Sequence, residues 1–164
     1  MSLAIILKLA HVLAAFWFVS GLLARNMTMS RAAQITDVDG IRTLVGSAGR
    51  FERLMVRPGS LVVFLIGLLT AWAQGWPVLG FLQGGMVNWV LVSIVLYLSM
   101  LPIIPLIFLP RGKIFEAALD DALAQGHVTP ALTAAFHDKV VARAHTYELI
   151  ATTLVIILMV TKPF

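Results

Sequence analysis

Four long apolar segments constrain this chain more than any other feature of its sequence. They run over about 3–24, 59–76, 87–109 and 141–161. A helix that crosses a bilayer needs roughly 20 mostly apolar residues, and each segment is close to that length. Since backbone groups in hydrocarbon must find partners inside their own segment, the segments are expected to be helical. The sequence therefore predicts an all-α membrane protein, a four-transmembrane-helix antiparallel bundle that forms one domain over 1–164.

The composition supports this prediction and excludes several other classes of protein. The 164 residues are 60% hydrophobic and 12% charged, whereas soluble domains are about 45–50% apolar and about 25% charged. A soluble globular enzyme and a disordered chain are both excluded. The chain has no cysteine, which excludes disulfides, thiolate metal sites and iron–sulfur clusters. No HExxH, GxSxG or P-loop motif is present, so hydrolytic and nucleotide-binding functions have no support.

The basic residues predict how the chain is oriented in the membrane. Of the 12 Lys and Arg residues, all but Lys8 and Lys162 lie in or beside two connections, the one between the first two spans and the one between the last two. The positive-inside rule places both connections in the cytoplasm. Both termini are then expected outside the cytoplasm, across a bacterial inner membrane. The same asymmetry accounts for the net charge of +4 without a nucleic-acid partner.

Both connections carry amphipathic patterns, which predict two cytoplasmic amphipathic segments. Over 41–57, apolar residues recur every three or four positions and arginines fill the remaining surface. Such a helix is expected to lie on the inner leaflet against anionic lipid head groups, or to pack under the bundle with a solvated basic face. In the second connection, 115–123 forms a short helix. Thr129-Pro130 then starts a helix that is expected to continue unbroken into the fourth span.

Ionisable groups inside a bilayer are candidates for function, and the first span contains Lys8 and His11 on one helical face. At about 1.5 Å per residue, Gly67 and Tyr97 lie near the depth of His11, and Met100 lies one turn further in. This arrangement suggests a haem b held by His11, with Met100 or nothing as the second ligand. Lys8 would then hold a propionate or another anionic group. Alternatively, His11 hydrogen-bonds within the core and Lys8 extends to the interface.

A second polar pair lies near the inner end of the fourth span. His145 and Glu148 are three residues apart, on one helical face. They are candidates for a proton relay or for a histidine oriented by a carboxylate. The alternative is a pair at the inner rim that meets Arg143 or water. His11 and His145 differ by roughly 12 Å in depth, so they are poor partners for one haem iron.

Short motifs give two family resemblances. The first span resembles that of HemJ-type protoporphyrinogen oxidases and copper-resistance D-type membrane domains in Lys8-x-x-His11, Trp17-Phe18, Gly21-Leu22-Leu23 and Arg25. Glu52-Arg53-Leu54, Pro58-Gly59 and Gly67-Leu68 look like the HemJ entry into span two, and Lys162-Pro163-Phe164 is similar to the ending of that group. This resemblance implies a haem contact at His11 alone, because 88–109 has no lysine or histidine to match the HemJ third span.

The second resemblance is to a bacterial family of predicted four-span integral membrane proteins of unknown function. It is carried by Trp89, Leu96-Tyr97, Leu101-Pro102 and the ending Met159–Pro163. It implies an architecture without an activity, and enzymatic turnover stays open. The leading hypothesis is a protein that binds haem, porphyrin or a similar flat redox ligand through His11. The alternatives are a scaffold or accessory subunit, as a homo-oligomer or in a larger membrane complex, and a small-solute or metal permease.

Overall fold

The computed structural model contains four helices that are long and apolar enough to cross a membrane. It describes residues 2–80 and 87–163, and within these ranges there are helices and no strands. The four run over Leu3–Ala32, Val38–Ala73, Trp89–Gln125 and Pro130–Thr161. The predicted fold class is therefore confirmed. The third helix is interrupted at Leu101–Pro102 and the fourth at 137–138. Counted across these interruptions, the four segments have 30, 36, 37 and 32 residues, so each is longer than the roughly 20 residues that a bilayer core requires.

The chain divides into two compact units, Met1–Trp76 with Ala122–Val128 and Pro77–Asp121 with Thr129–Phe164. Each unit is described by itself. The prediction of one membrane domain over the whole chain stays a prediction. Between the predicted second and third spans, residues 81–86 lie outside the described part of the chain.

The first unit is built on a long helical hairpin. Helix α1 (Leu3–Ala32) is followed by α2 (Val38–Phe51), a π-helical turn (Glu52–Val56) and α3 (Arg57–Ala73). The Asp37 side chain starts α2 by accepting a hydrogen bond from the Gly40 backbone N–H at 2.8 Å, as an N-cap does. Both α2 and α3 pack along α1.

The predicted amphipathic helix over 41–57 is present, but it is not separate from the second span. It continues through the π-helical turn into α3. Ile41 and Ala48 are buried, whereas Arg42, Arg50 and Arg53 are exposed. Because α2 packs on α1, the structure has the packed arrangement with an exposed basic face that the sequence left as one of two interpretations.

Glycines bring the two arms of this hairpin together at the level of the backbone. A Cβ atom on Gly21 would overlap the Cβ of Met55, and one on Gly59 would lie 3.1 Å from both Cα and Cβ of Phe18. A Cβ on Gly67 would lie 2.8 Å from Cε1 of His11. Small residues at helix contacts are typical of membrane proteins, where close packing replaces the hydrophobic driving force.

The second unit contains α4 (Trp89–Met100), a π-helical turn (Ile104–Phe108), α5 (Leu109–Gln125) as far as Asp121, α6 (Pro130–Phe136) and α7 (Lys139–Thr161). Asn88 begins α4 by accepting from the Leu91 backbone N–H at 3.0 Å. Pro102, Pro105 and Pro110 predict a bend in this span. The structure places a turn at Leu101–Pro102 and the π-helical turn directly after it, since proline removes a helical hydrogen bond.

The prediction of an unbroken helix from Thr129 into the fourth span is wrong in one detail. Thr129 does cap α6 by accepting from the Leu132 backbone N–H. The helical run then stops at Phe136, and Asp138 starts α7 by accepting from the N–H groups of Val140 and Val141 at 2.8 and 3.3 Å. This second cap competes with continuation of the helix. Arg111 also donates to the Asp138 carboxylate.

We predict that Gly21→Ala lowers the free energy of unfolding by about 1–3 kcal/mol, because the new methyl group overpacks a contact at Met55. Gly46→Ala is the matched control, since a Cβ there meets nothing within 4 Å and alanine favours the helix by up to about 1 kcal/mol. The measurement is the midpoint of unfolding by SDS titration in mixed micelles. Equal midpoints for the two variants would contradict backbone packing at Gly21.

Candidate functional site

His11 lies on the buried face of α1. Only 8% of the residue is exposed. The same face continues along the helix through Ala14, Phe18, Gly21, Leu22, Arg25 and Ala32. A histidine in this position is surrounded by helix–helix contacts and has little access to water.

The His11 imidazole fills the notch that Gly67 leaves in α3. A Cβ on Gly67 would lie 2.8 Å from Cε1, 3.2 Å from Nδ1 and 3.7 Å from Nε2 of the ring. The backbone of Val63, one turn before Gly67, offers a hydrogen-bond acceptor to the same ring. His11 and Gly67 are therefore in contact. Counting residues along the spans had put the two at a similar depth in the membrane.

One ring nitrogen of His11 is left without a hydrogen-bond partner. Nδ1 is shielded from solvent and forms no hydrogen bond with any described residue. A buried polar atom in this state costs about 1–3 kcal/mol relative to a paired one. A metal ion or a polar group of a ligand would satisfy a ring nitrogen that is desolvated and unpaired.

The other residues predicted around His11 are distributed differently. Lys8 precedes His11 by one turn but is exposed, a placement typical of a lysine that reaches the interface. Tyr97 and Met100 are partly buried in α4, in the second unit. Their roles beside a ligand of His11 stay predictions. Across residues 2–80 and 87–163, no three His, Asp or Glu side chains gather as a metal site.

The polar pair of the fourth span is formed in the second unit. His145 Nδ1 lies 3.4 Å from Glu148 Oε2. The His145 ring also stacks on Phe108, with centroids 4.6 Å apart and an interplanar angle of 23°. Phe108 ends the π-helical turn of this unit, so the turn presents an aromatic ring to the imidazole. Arg143 is exposed, and no ion pair joins it to another described residue.

An ion-paired cluster in the first unit was missed from the sequence. Arg25 Nη1 donates to Glu52 Oε2 at 2.7 Å, and Arg57 Nε donates to Glu52 Oε1 at 3.1 Å. The Arg25 side chain is 10% exposed, the Glu52 side chain 25% and the Arg57 side chain 61%. Glu52 begins the π-helical turn. The available signal was that Arg25 follows His11 on one face of α1, which predicts a buried cation that needs an acid.

Comparison with known proteins gives one result. The family model described as "Predicted integral membrane protein (DUF2269)" matches residues 5–163. No curated protein and no solved structure gives a significant match.

We predict that Gly67→Ala expels the His11 imidazole from its notch, because the added methyl group would lie 2.8 Å from Cε1. Modification of His11 by diethyl pyrocarbonate, followed by mass spectrometry, measures the exposure of the ring. The rate should rise toward that of the exposed His137. Gly112→Ala, where a Cβ meets nothing within 4 Å, is the control and should leave the rate unchanged. An unaltered rate in Gly67→Ala would contradict the contact.

We predict that Glu52→Gln lowers the free energy of unfolding by about 1.5–3 kcal/mol, the range for a hydrogen bond to a charged group, because the nearly buried Arg25 loses its carboxylate. Arg57→Gln removes the other cation from Glu52 but acts on an exposed side chain, so its effect should stay below about 1 kcal/mol. The unfolding midpoints of both variants in SDS titrations test which substitution destabilises the protein more. A larger loss in Arg57→Gln would show that Arg25 does not depend on Glu52.

Proposed function

Because the chain belongs to the DUF2269 family of predicted integral membrane proteins, we propose that it functions in a bilayer as a ligand-binding protein. The proposed ligand is haem, a porphyrin or a similar flat hydrophobic redox group, held through His11. The observation that carries this proposal is the shielded Nδ1 of His11, which has no hydrogen-bond partner among the described residues. Bonding to a ligand would remove the cost of burying that nitrogen.

The donor chemistry of His11 suits a haem iron. A neutral imidazole is the commonest protein ligand of haem and of metals in general. Haem bound there would supply an iron that accepts and releases one electron. The imidazole fills the notch at Gly67, so ligation at Nδ1 requires the ring to leave that notch.

The proposed location is a bacterial inner membrane with both termini outside the cytoplasm. The support is the distribution of cations. Arg42, Arg50, Arg53 and Arg57 all lie on the connection between the first two spans and are exposed. Arg53 and Arg57 adjoin the apolar part of α3 and are proposed to meet anionic lipid head groups, which attract cations near the membrane surface.

We predict that the detergent-purified protein, made with added haem precursor, shows a Soret band and sharp reduced α and β bands. Absorption spectra of the oxidised and the dithionite-reduced protein measure them. His11→Ala should lose these bands because it removes the ligand nitrogen. His137→Ala is the control, since this histidine is exposed and lies outside the proposed site. A colourless wild-type protein, or equal loss in both variants, would contradict haem binding at His11.

A second candidate function is a scaffold or accessory subunit of a membrane complex. The observation that favours it is an open surface depression of about 430 Å³ on α2. Its lining includes two arginines: Asp39, Arg42, Thr43, Gly46, Ser47 and Arg50. A partner that binds there should co-purify in stoichiometric amount with the wild type and with His11→Ala. Its loss in Arg42→Gln/Arg50→Gln would assign the contact to α2.

A further inference from the structure

One exposed face of α7 carries cations at one end and apolar side chains along the rest of its length. Lys139, Arg143 and Tyr147 follow one another at intervals of four residues, and all three are exposed. The face continues with the exposed residues Ile150, Leu154 and Ile157. Other positions of the helix are buried, among them Ala144, Ala151 and Thr152. We call the six exposed residues the α7 stripe.

The charge of this stripe is not neutralised within the protein. Neither Lys139 nor Arg143 forms an ion pair with another residue of the described chain. Asp138, the acid next to Lys139 in the sequence, is engaged by Arg111. A hydrogen bond joins the hydroxyl groups of Tyr147 and Ser99. It holds the phenol ring in place, and Tyr147 is 38% exposed. Two cations and a fixed aromatic ring therefore face the surroundings without a counterion.

The position of the cations along α7 matches the boundary of a bilayer. The far end of the helix is marked by Lys162, whose Nζ lies 5.7 Å from the centre of the Trp89 ring. At about 1.5 Å per residue, Arg143 lies roughly 28 Å from that end, close to the roughly 30 Å thickness of the hydrocarbon core. Lys139 lies about 6 Å further along. Arg143 is thus at the edge of the hydrocarbon and Lys139 at the level of the head groups.

We infer that the α7 stripe binds one anionic glycerophospholipid. The lipid phosphate lies between Lys139 and Arg143, and the glycerol region lies against Tyr147. One acyl chain follows Ile150 and Leu154. The distance from Arg143 to Leu154 is about 16 Å along the helix, close to half of the hydrocarbon core, so the apolar part of the stripe matches one leaflet. This inference is independent of His11 and of any ligand that His11 holds.

The apolar continuation distinguishes a lipid from a soluble anion. Inorganic phosphate would use only the two cations and would gain nothing from the exposed apolar residues beyond Tyr147. A zwitterionic lipid would use the apolar part but would carry its own ammonium group to the cations. Only an anionic lipid satisfies both ends of the stripe, since cations near a membrane surface attract net negative charge.

Native mass spectrometry of the full-length protein in detergent tests the inference, with phosphatidylglycerol or phosphatidylcholine added at known concentrations. The wild type should bind its first phosphatidylglycerol more tightly than phosphatidylcholine. Lys139→Gln/Arg143→Gln should weaken phosphatidylglycerol binding by about five-fold for each cation, or roughly 25-fold together. The charge-conserving Lys139→Arg/Arg143→Lys variant should retain the preference, which separates loss of charge from loss of folding.

Arg31→Gln/Lys113→Gln is the matched control, because it removes the same charge from exposed positions of α1 and α5. It should leave the affinity for the first phosphatidylglycerol within about two-fold of wild type, since neither residue belongs to the α7 stripe. Three results would overturn the inference. They are equal weakening in both double variants, equal affinity of the wild type for the two lipids, and displacement of phosphatidylglycerol by millimolar inorganic phosphate.

Discussion

Close packing of helices at three glycines is the constraint on which the first unit depends. In a bilayer the lipid tails are as apolar as leucine, so two helices gain little from burying apolar side chains against each other. What remains is tight packing, and Gly21, Gly59 and Gly67 allow it by leaving no Cβ between α1 and the π-helical turn or α3. The contacts at Gly21 and Gly59 hold the hairpin together, while the contact at Gly67 places the His11 ring.

The same packing decides the chemistry available to the polar groups. The notch at Gly67 shields His11 Nδ1, and the pairing of α1 with the π-helical turn brings Arg25 to Glu52 at 2.7 Å. Both results follow from the register of the hairpin. In the second unit, prolines and polar caps take a larger part, and the ring of Phe108 rather than a glycine meets the histidine. The two units therefore use different means to hold one imidazole each.

The sequence predicted the four spans because hydropathy over about 20 residues is a strong signal. Depth along the spans put Gly67 near the level of His11, and the structure brings the two into contact. It did not predict that α2 and α3 are continuous, because a change from an amphipathic to an apolar pattern does not require a break in the helix. The cap at Asp138 was overlooked beside the stronger signal of Thr129-Pro130. The ion pair between Arg25 and Glu52 depends on the register between helices, which no local sequence pattern predicts. The resemblances to HemJ-type and copper-resistance D-type proteins stay hypotheses.

The π-helical turn at Glu52–Val56 gives the second helix a property that a uniform α-helix lacks. A π-helical turn contains one residue more than the α-helical turn it replaces, so it acts as a built-in insertion of one residue. Removing that residue would restore regular hydrogen bonding but turn α2 by about 100° around its axis relative to α3. Ile41 and Ala48 would then point away from α1. In this hairpin, the one extra residue of the π-helical turn therefore sets how far α2 is rotated about its axis relative to α3.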